Sequence, residues 1–112
     1  MTNIEMTRLC AEMLWYEEAG VDRFQNGDEI LYVKDSNHTM HVFNPLHDDA
    51  QAMALVKRFG LWIERTCEAN IGDTPTWCVT GDRVSGHTER HCNRTDLNRA
   101  IVECVAKMQE RK

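Results

Sequence analysis

The sequence predicts an α+β fold in which helices pack on an antiparallel sheet of four to five strands. In three segments, apolar residues recur every three or four positions, which is the period of an amphipathic helix. Between them, short runs rich in β-branched and aromatic residues come in pairs joined by turn formers, which is typical of hairpins. The predicted order is α-β-β-α-β-β-α, with a further edge strand before the last helix, in a single domain over residues 1–112.

The first helix is predicted from Ile4 to Glu18. Thr2 or Asn3 can cap its N-terminus, and Gly20 can take the left-handed conformation that ends many helices. Its apolar stripe consists of Met6, Leu9, Cys10, Met13 and Leu14.

A hairpin is predicted next, with strands Glu29–Lys34 and Thr39–Phe43 around the turn Asp-Ser-Asn-His. Strand alternation places Ile30 and Tyr32 on one face and Leu31 on the other. Because both faces carry apolar residues, we expect this part of the sheet to be covered on both sides or to contact a partner.

The second helix is predicted from Asp48 to Phe59. Pro45 disfavours a helical conformation for the residue before it, Asp48 can cap the helix, and Gly60 can end it. The polar run that starts at His47 is therefore interpreted as a helix start and not as a functional site.

Two further strands are predicted at Leu61–Ala69 and Thr76–Gly81, with a short edge strand at Thr88–Cys92. The last helix starts near Thr95, where Asn93 or Thr95 can cap it. Its apolar stripe consists of Leu97, Ile101, Cys104, Val105 and Met108.

Composition argues against several classes of function. The 13 basic residues are scattered among 18 acidic ones, giving a net charge of −5, whereas nucleic-acid binding needs clustered cations. No apolar run has the length of a membrane span, and the first ten residues lack the pattern of a signal peptide. The five cysteines are odd in number and widely spaced, so we expect reduced thiols and a cytoplasmic location. From the charge and the lack of a long apolar run, we expect no nucleic-acid partner and no membrane association.

The weak candidates for a metal or thiol site are His87, His91 and Cys92. No C-x₂-C pair is present, as structural zinc sites usually require. On a strand, His87 and His91 would lie about 13 Å apart, and the adjacent His91 and Cys92 would point to opposite faces. Phosphate-binding motifs are absent too. We therefore expect no metal, no cofactor, no catalytic residues and no enzymatic activity.

Aromatic residues are the candidates for contact with a protein partner. Trp62 and Trp77 would form a cross-strand pair if they faced the same way, either in the core or as an exposed anchor. The predicted partner-binding residues are Trp62, Trp77, Tyr32 and Phe43.

The chain resembles the phage ABA sandwich domain family from Met1 to Met108. The resemblance is carried by an Asn-Pro opening before the second helix and by the core of the last helix, at Asn44, Pro45, Asp48, Asp49, Ala52, Leu55, Val56, Thr95, Leu97, Arg99, Ala100, Ile101 and Val102. The segment Gly81–Cys92 departs from the family pattern. The resemblance implies a small accessory product of a phage or prophage, without known catalytic residues, that binds a host or phage protein in the bacterial cytoplasm.

The favoured hypothesis is thus a non-enzymatic phage protein that acts by protein–protein binding, with a homodimer as one form. One alternative is an anti-CRISPR-like inhibitor of a bacterial defence system that mimics nucleic-acid charge. Its acidic surface would comprise Glu12, Glu17, Glu18, Asp22, Asp28 and Glu29. A second alternative is a metal- or thiol-dependent site at His87, His91 and Cys92.

Overall fold

The computed structural model describes residues 1–66, 76–82, 88–93 and 95–110, and it shows an α+β fold. Its helices are α1 (Asn3–Met13), α2 (Asp49–Phe59) and α3 (Leu97–Glu110). Its strands are β1 (Glu17–Arg23), β2 (Glu29–Lys34), β3 (Met40–Phe43), β4 (Trp62–Thr66), β5 (Thr76–Asp82) and β6 (Thr88–Asn93). Among these residues, no helix has the length and apolar content needed to cross a membrane.

The strands form two separate three-stranded antiparallel sheets, so the prediction of one sheet with four to five strands is wrong. Sheet 1 has the order β1-β2-β3, and sheet 2 has the order β4-β5-β6. Each sheet consists of strands that are consecutive in the chain, and α2 separates the two sets. Pairing between chain neighbours closes the shortest loops, which explains why each predicted hairpin gains its third strand locally.

The first helix is shorter than predicted, because the chain leaves it at Trp15. Trp15 takes the left-handed conformation, with a φ of 63°, that was predicted for Gly20. The amide of Tyr16 donates to the carbonyl of Ala11 over 3.0 Å, which closes the helix end as a Schellman motif does. The residues from Glu17 onward are then free to form β1, a strand that the sequence did not predict.

The predicted limits of α2 are confirmed. The side chain of Asp48 accepts a hydrogen bond from the amide of Gln51 over 3.1 Å, and Gly60 ends the helix in the left-handed conformation. His47 is exposed immediately before the cap. The polar run at His47 is therefore a helix start, as the sequence indicated.

The other helices also begin at side-chain caps. Thr2 accepts from the amide of Glu5, whose carboxylate accepts from the amide of Thr2 in return, which is a capping box. At α3 the side chain of Asp96 accepts from the amide of Arg99 over 3.0 Å. Asp96 therefore takes the role that was predicted for Asn93 or Thr95.

The helices α1 and α3 lie between the two sheets, and α2 packs on α3. α1 packs on β1 and β2 of sheet 1 and on α3, while α3 packs on β5 and β6 of sheet 2 and on α2. The central position of α3 explains why its side chains are buried on several sides, at Ala100, Ile101, Val102, Cys104, Val105 and Ala106. Each sheet consequently has an inner face against the helices and an outer face on the opposite side.

Gly81 in β5 allows α3 to approach sheet 2 closely. A Cβ atom at this position would lie 2.8 Å from Leu61 Cδ2, 2.8 Å from Met108 Sδ and 3.3 Å from Cys104 Sγ. The glycine is therefore required by packing and not by its backbone conformation.

Candidate functional site

The outer face of sheet 1 exposes a group of apolar side chains. Val42 is directly opposite Tyr32, and Met40 is directly opposite Lys34. Met40 is 60% exposed and Val42 is 40% exposed. We name Ile30, Tyr32, Met40 and Val42 the sheet 1 patch. The hairpin is thus apolar on both faces, as predicted, but the helices cover only the inner one.

A carboxylate lies beside the aromatic ring of this patch. Asp22 on β1 raises the pKa of Tyr32, through hydrogen bonding to its hydroxyl and through its negative charge. The residue directly opposite Tyr32 is Gly20, which leaves open space beside the ring. The patch therefore ends in a polar, acidic rim along β1.

The edge of sheet 1 beside the patch is closed by a side chain of α2. The amide group of Gln51 accepts a hydrogen bond from the Asn44 amide over 2.6 Å and donates one to the Val42 carbonyl over 2.7 Å. Gln51 thus occupies the positions that a neighbouring strand would use. A partner of this region is therefore expected on the face of the sheet and not along the edge of β3.

The outer face of sheet 2 is more polar and carries one large exposed ring. Trp62 on β4 is 67% exposed and lies opposite Thr80, which in turn lies opposite the exposed Arg90. The next row across the same face contains Glu64, Cys78 and Cys92.

The four predicted partner-binding residues do not form one site. Tyr32 and Trp62 lie on the outer faces of different sheets, whereas Phe43 is 3% exposed in the core. Trp77 lies on the inner face of sheet 2, where the guanidinium of Arg65 sits 4.9 Å from its ring centroid. The register puts Trp62 opposite Thr80, three residues from Trp77, so the predicted tryptophan pair does not form.

Two of the three candidates for a metal or thiol site, His91 and Cys92, are separated by the structure. His87 lies outside the described residues. Cys92 forms a disulfide with Cys78, its direct partner across β5 and β6, with the two Cα atoms 4.1 Å apart. The expectation of reduced thiols is therefore wrong for this pair, because spacing along the chain does not show strand register. His91 points to the opposite face of β6 from Cys92.

A half-buried polar network joins β6 to α3. His91 Nε2 lies 3.1 Å from the carboxylate of Glu89, and His91 Nδ1 lies 3.8 Å from that of Glu103. The Nε atom of Arg99 lies 2.9 Å from the carboxylate of Glu103, with which it forms an ion pair. Beside it is a cleft of about 200 Å³, also lined by Met1, Met6 and Lys107. The sequence shows the alternation along β6 and the i, i+4 spacing of Arg99 and Glu103. It does not show that the side chains of β6 and α3 meet.

The side chains of this network contact one another. The two carboxylates flank one imidazole, and one of them also binds Arg99, so the cluster can hold β6 against α3. Within the described ranges, no group of three or more His, Cys, Asp or Glu side chains is placed to hold a metal ion.

The acidic residues considered for nucleic-acid mimicry are divided among several environments. Glu18 accepts from Arg8 over 2.7 Å, and Glu29 lies 3.6 Å from Arg23. Asp22 is bonded to Tyr32. Glu17 and Glu18 are neighbours on a strand and point to opposite faces. These side chains therefore do not all face one surface, and several of them interact with neighbouring residues.

Comparison of the chain with protein-family models, with curated proteins and with solved structures finds no match. The resemblance to the phage ABA sandwich domain family stays a prediction.

Proposed function

We propose that this protein is a non-enzymatic binding protein that contacts another protein through the sheet 1 patch. The observation that carries the proposal is the exposure of Met40 and Val42, at 60% and 40%, beside Tyr32 on the outer face of sheet 1. Contiguous apolar side chains with a polar rim are typical of protein–protein interfaces.

The proposal includes a biological context that is supported by the family resemblance alone. The protein would be a phage or prophage accessory product, and its partner a host or phage protein in the bacterial cytoplasm. A second copy of the chain could occupy the same patch, giving a homodimer. Inhibition of a defence system would be one consequence of binding, through this patch and not through charge mimicry.

A matched pair of variants tests the patch. Met40→Glu places a charge in the patch, whereas Met53→Glu places one on α2 at a methionine that is 40% exposed. We expect capture of the partner from bacterial lysate, or self-association on gel filtration, to weaken about tenfold or more with Met40→Glu only. Circular dichroism serves as the control for folding of both variants.

Two results would contradict this proposal. One is equal binding by both folded variants, which would place the contact elsewhere. The other is a strictly monomeric wild-type protein that enriches no partner from the lysate.

A further inference from the structure

The disulfide on the outer face of sheet 2 has two sulfur atoms in different environments. Cys78 lies in the middle strand and is 1% exposed, whereas Cys92 lies on the edge strand β6 and is exposed. Thiol–disulfide exchange requires access to the sulfur that is attacked. Access therefore favours attack at Cys92.

Charges on the same face favour the same sulfur. An attacking thiolate approaches a disulfide along the sulfur–sulfur axis, from the side opposite the leaving sulfur. For Cys78 that side faces the neighbouring strand β4, where Glu64 is its direct partner. For Cys92 that side is the edge of the sheet, where no further strand pairs with β6 among the residues that the structure describes. Arg90 lies two residues away on the same face.

We propose that Cys78–Cys92 is a thiol–disulfide exchange site at which an anionic low-molecular-weight thiol attacks the sulfur of Cys92. The incoming thiolate forms a new bond to Cys92 Sγ, and the bond between Cys92 and Cys78 breaks. The electron pair leaves on Cys78 Sγ, which then takes a proton from solvent. The small thiol is oxidised to a mixed disulfide while Cys78 is reduced.

A second thiolate completes the cycle by attacking the small-molecule sulfur of the mixed disulfide. It releases the small disulfide and leaves Cys92 as a thiol, so that two small thiols are oxidised for one protein disulfide reduced. The reverse reaction is favoured by the fold. β5–β6 pairing and the contacts of His91 with Glu89 and Glu103 hold the two cysteines together when the bond is open.

The other described cysteines do not compete. Cys10 and Cys104 are fully buried, and burial raises the pKa of the Cys10 thiol, which disfavours the reactive thiolate. Cys67 lies outside the described residues, so the experiments use a Cys67→Ser background. The exchange site is independent of the sheet 1 patch.

Trapping identifies the reactive sulfur. Cys78→Ala and Cys92→Ala variants are incubated with dithiodipropionate, and adducts are counted by intact mass under native conditions. We expect one adduct on Cys92 in the Cys78→Ala variant and none, or a slow one, on Cys78 in the Cys92→Ala variant. Equal labelling of the two variants would overturn the claim that attack is directed to Cys92. If Cys78 and Cys92 could both be alkylated as thiols in the air-oxidised parent, the exchange site itself would be overturned.

Reduction rates test the preference for anionic thiols. The parent is reduced with mercaptopropionate, mercaptoethanol or cysteamine, and each rate is divided by that for the same protein unfolded in urea. We expect the normalised rates to fall in that order. Arg90→Gln should slow mercaptopropionate about threefold, the effect of one charge near 7 Å in water, and leave mercaptoethanol unchanged. Thr88→Gln, on the same face of β6, is the matched control for Arg90→Gln. Equal normalised rates for the three thiols would overturn the preference for an anionic thiol.

Discussion

Sheet 1 and sheet 2 have the same number of strands and the same strand order, but their outer faces differ. In sheet 1 the outer face is apolar around Tyr32 and Val42, and Gln51 closes the edge of β3. In sheet 2 the outer face is mainly polar, and a disulfide between β5 and β6 crosses it. Both inner faces pack on helices, sheet 1 on α1 and sheet 2 on α3. The fold therefore constrains one face of each sheet and leaves the other available for different tasks.

The largest expected effect is removal of the covalent link that only sheet 2 has. Cys78→Ala combined with Cys92→Ala opens a loop with a sequence separation of 14, which should lower the free energy of unfolding by about 3 kcal/mol. Urea unfolding of this variant and of the reduced wild type should give similar losses. A loss below about 1 kcal/mol would mean that the link contributes little to sheet 2.

Matched truncations of the two inner faces should have similar effects. Val33 in β2 and Val79 in β5 both lie in middle strands and are fully buried. We expect Val33→Ala and Val79→Ala each to cost about 2 kcal/mol in urea unfolding, from lost burial and the cavity that remains. Val42→Ala, on the outer face, should cost less than about 0.5 kcal/mol. A large difference between the two buried sites would show that the sheets are not equally packed.

Two glycines test the close packing of sheet 2 against the open surface of sheet 1. Gly81→Ala should destabilise the protein by about 1–2 kcal/mol, because the added methyl group meets Leu61 and Met108 at 2.8 Å. These contacts are with side-chain ends, which limits the cost. Gly20→Ala meets nothing within 4 Å and should be neutral or stabilising by about 0.5 kcal/mol. Thermal unfolding of both variants would reveal the contrast, which equal shifts would contradict.

The features that the sequence predicted correctly depend on residues close together in the chain. Asp48 and Gly60 mark the limits of α2 because a cap is a contact within a few residues. The features it missed depend on distant pairing. The opposition of Cys78 to Cys92 and of Trp62 to Thr80 is set by register, which composition does not encode. β1 was missed because a tryptophan, and not a glycine, takes the left-handed position after α1.

The edge of β3 offers a smaller test. Gln51→Ala removes two hydrogen bonds at a partly exposed position, and water can replace them in part, so we expect a loss of about 1 kcal/mol in urea unfolding. Gln51→Glu keeps the acceptor for the Asn44 amide but sets a carboxylate against the Val42 carbonyl. It should therefore be no more stable than Gln51→Ala. Wild-type stability of Gln51→Glu would show that the bond to Val42 contributes nothing.

The smallest expected effect concerns the phenol in the sheet 1 patch. The hydrogen bond to Asp22 raises the pKa of Tyr32 above its ordinary value of about 10. Because the neutral phenol is favoured in the folded state, its contribution to stability is present below that ordinary value and is lost as the pH rises through the raised one. Asp22→Asn removes the carboxylate and should move the titration back down. Phenolate absorbance measured in a Tyr16→Phe background isolates Tyr32, the other tyrosine of the chain. An unchanged titration in Asp22→Asn would show that the Asp22 carboxylate does not act on the Tyr32 hydroxyl.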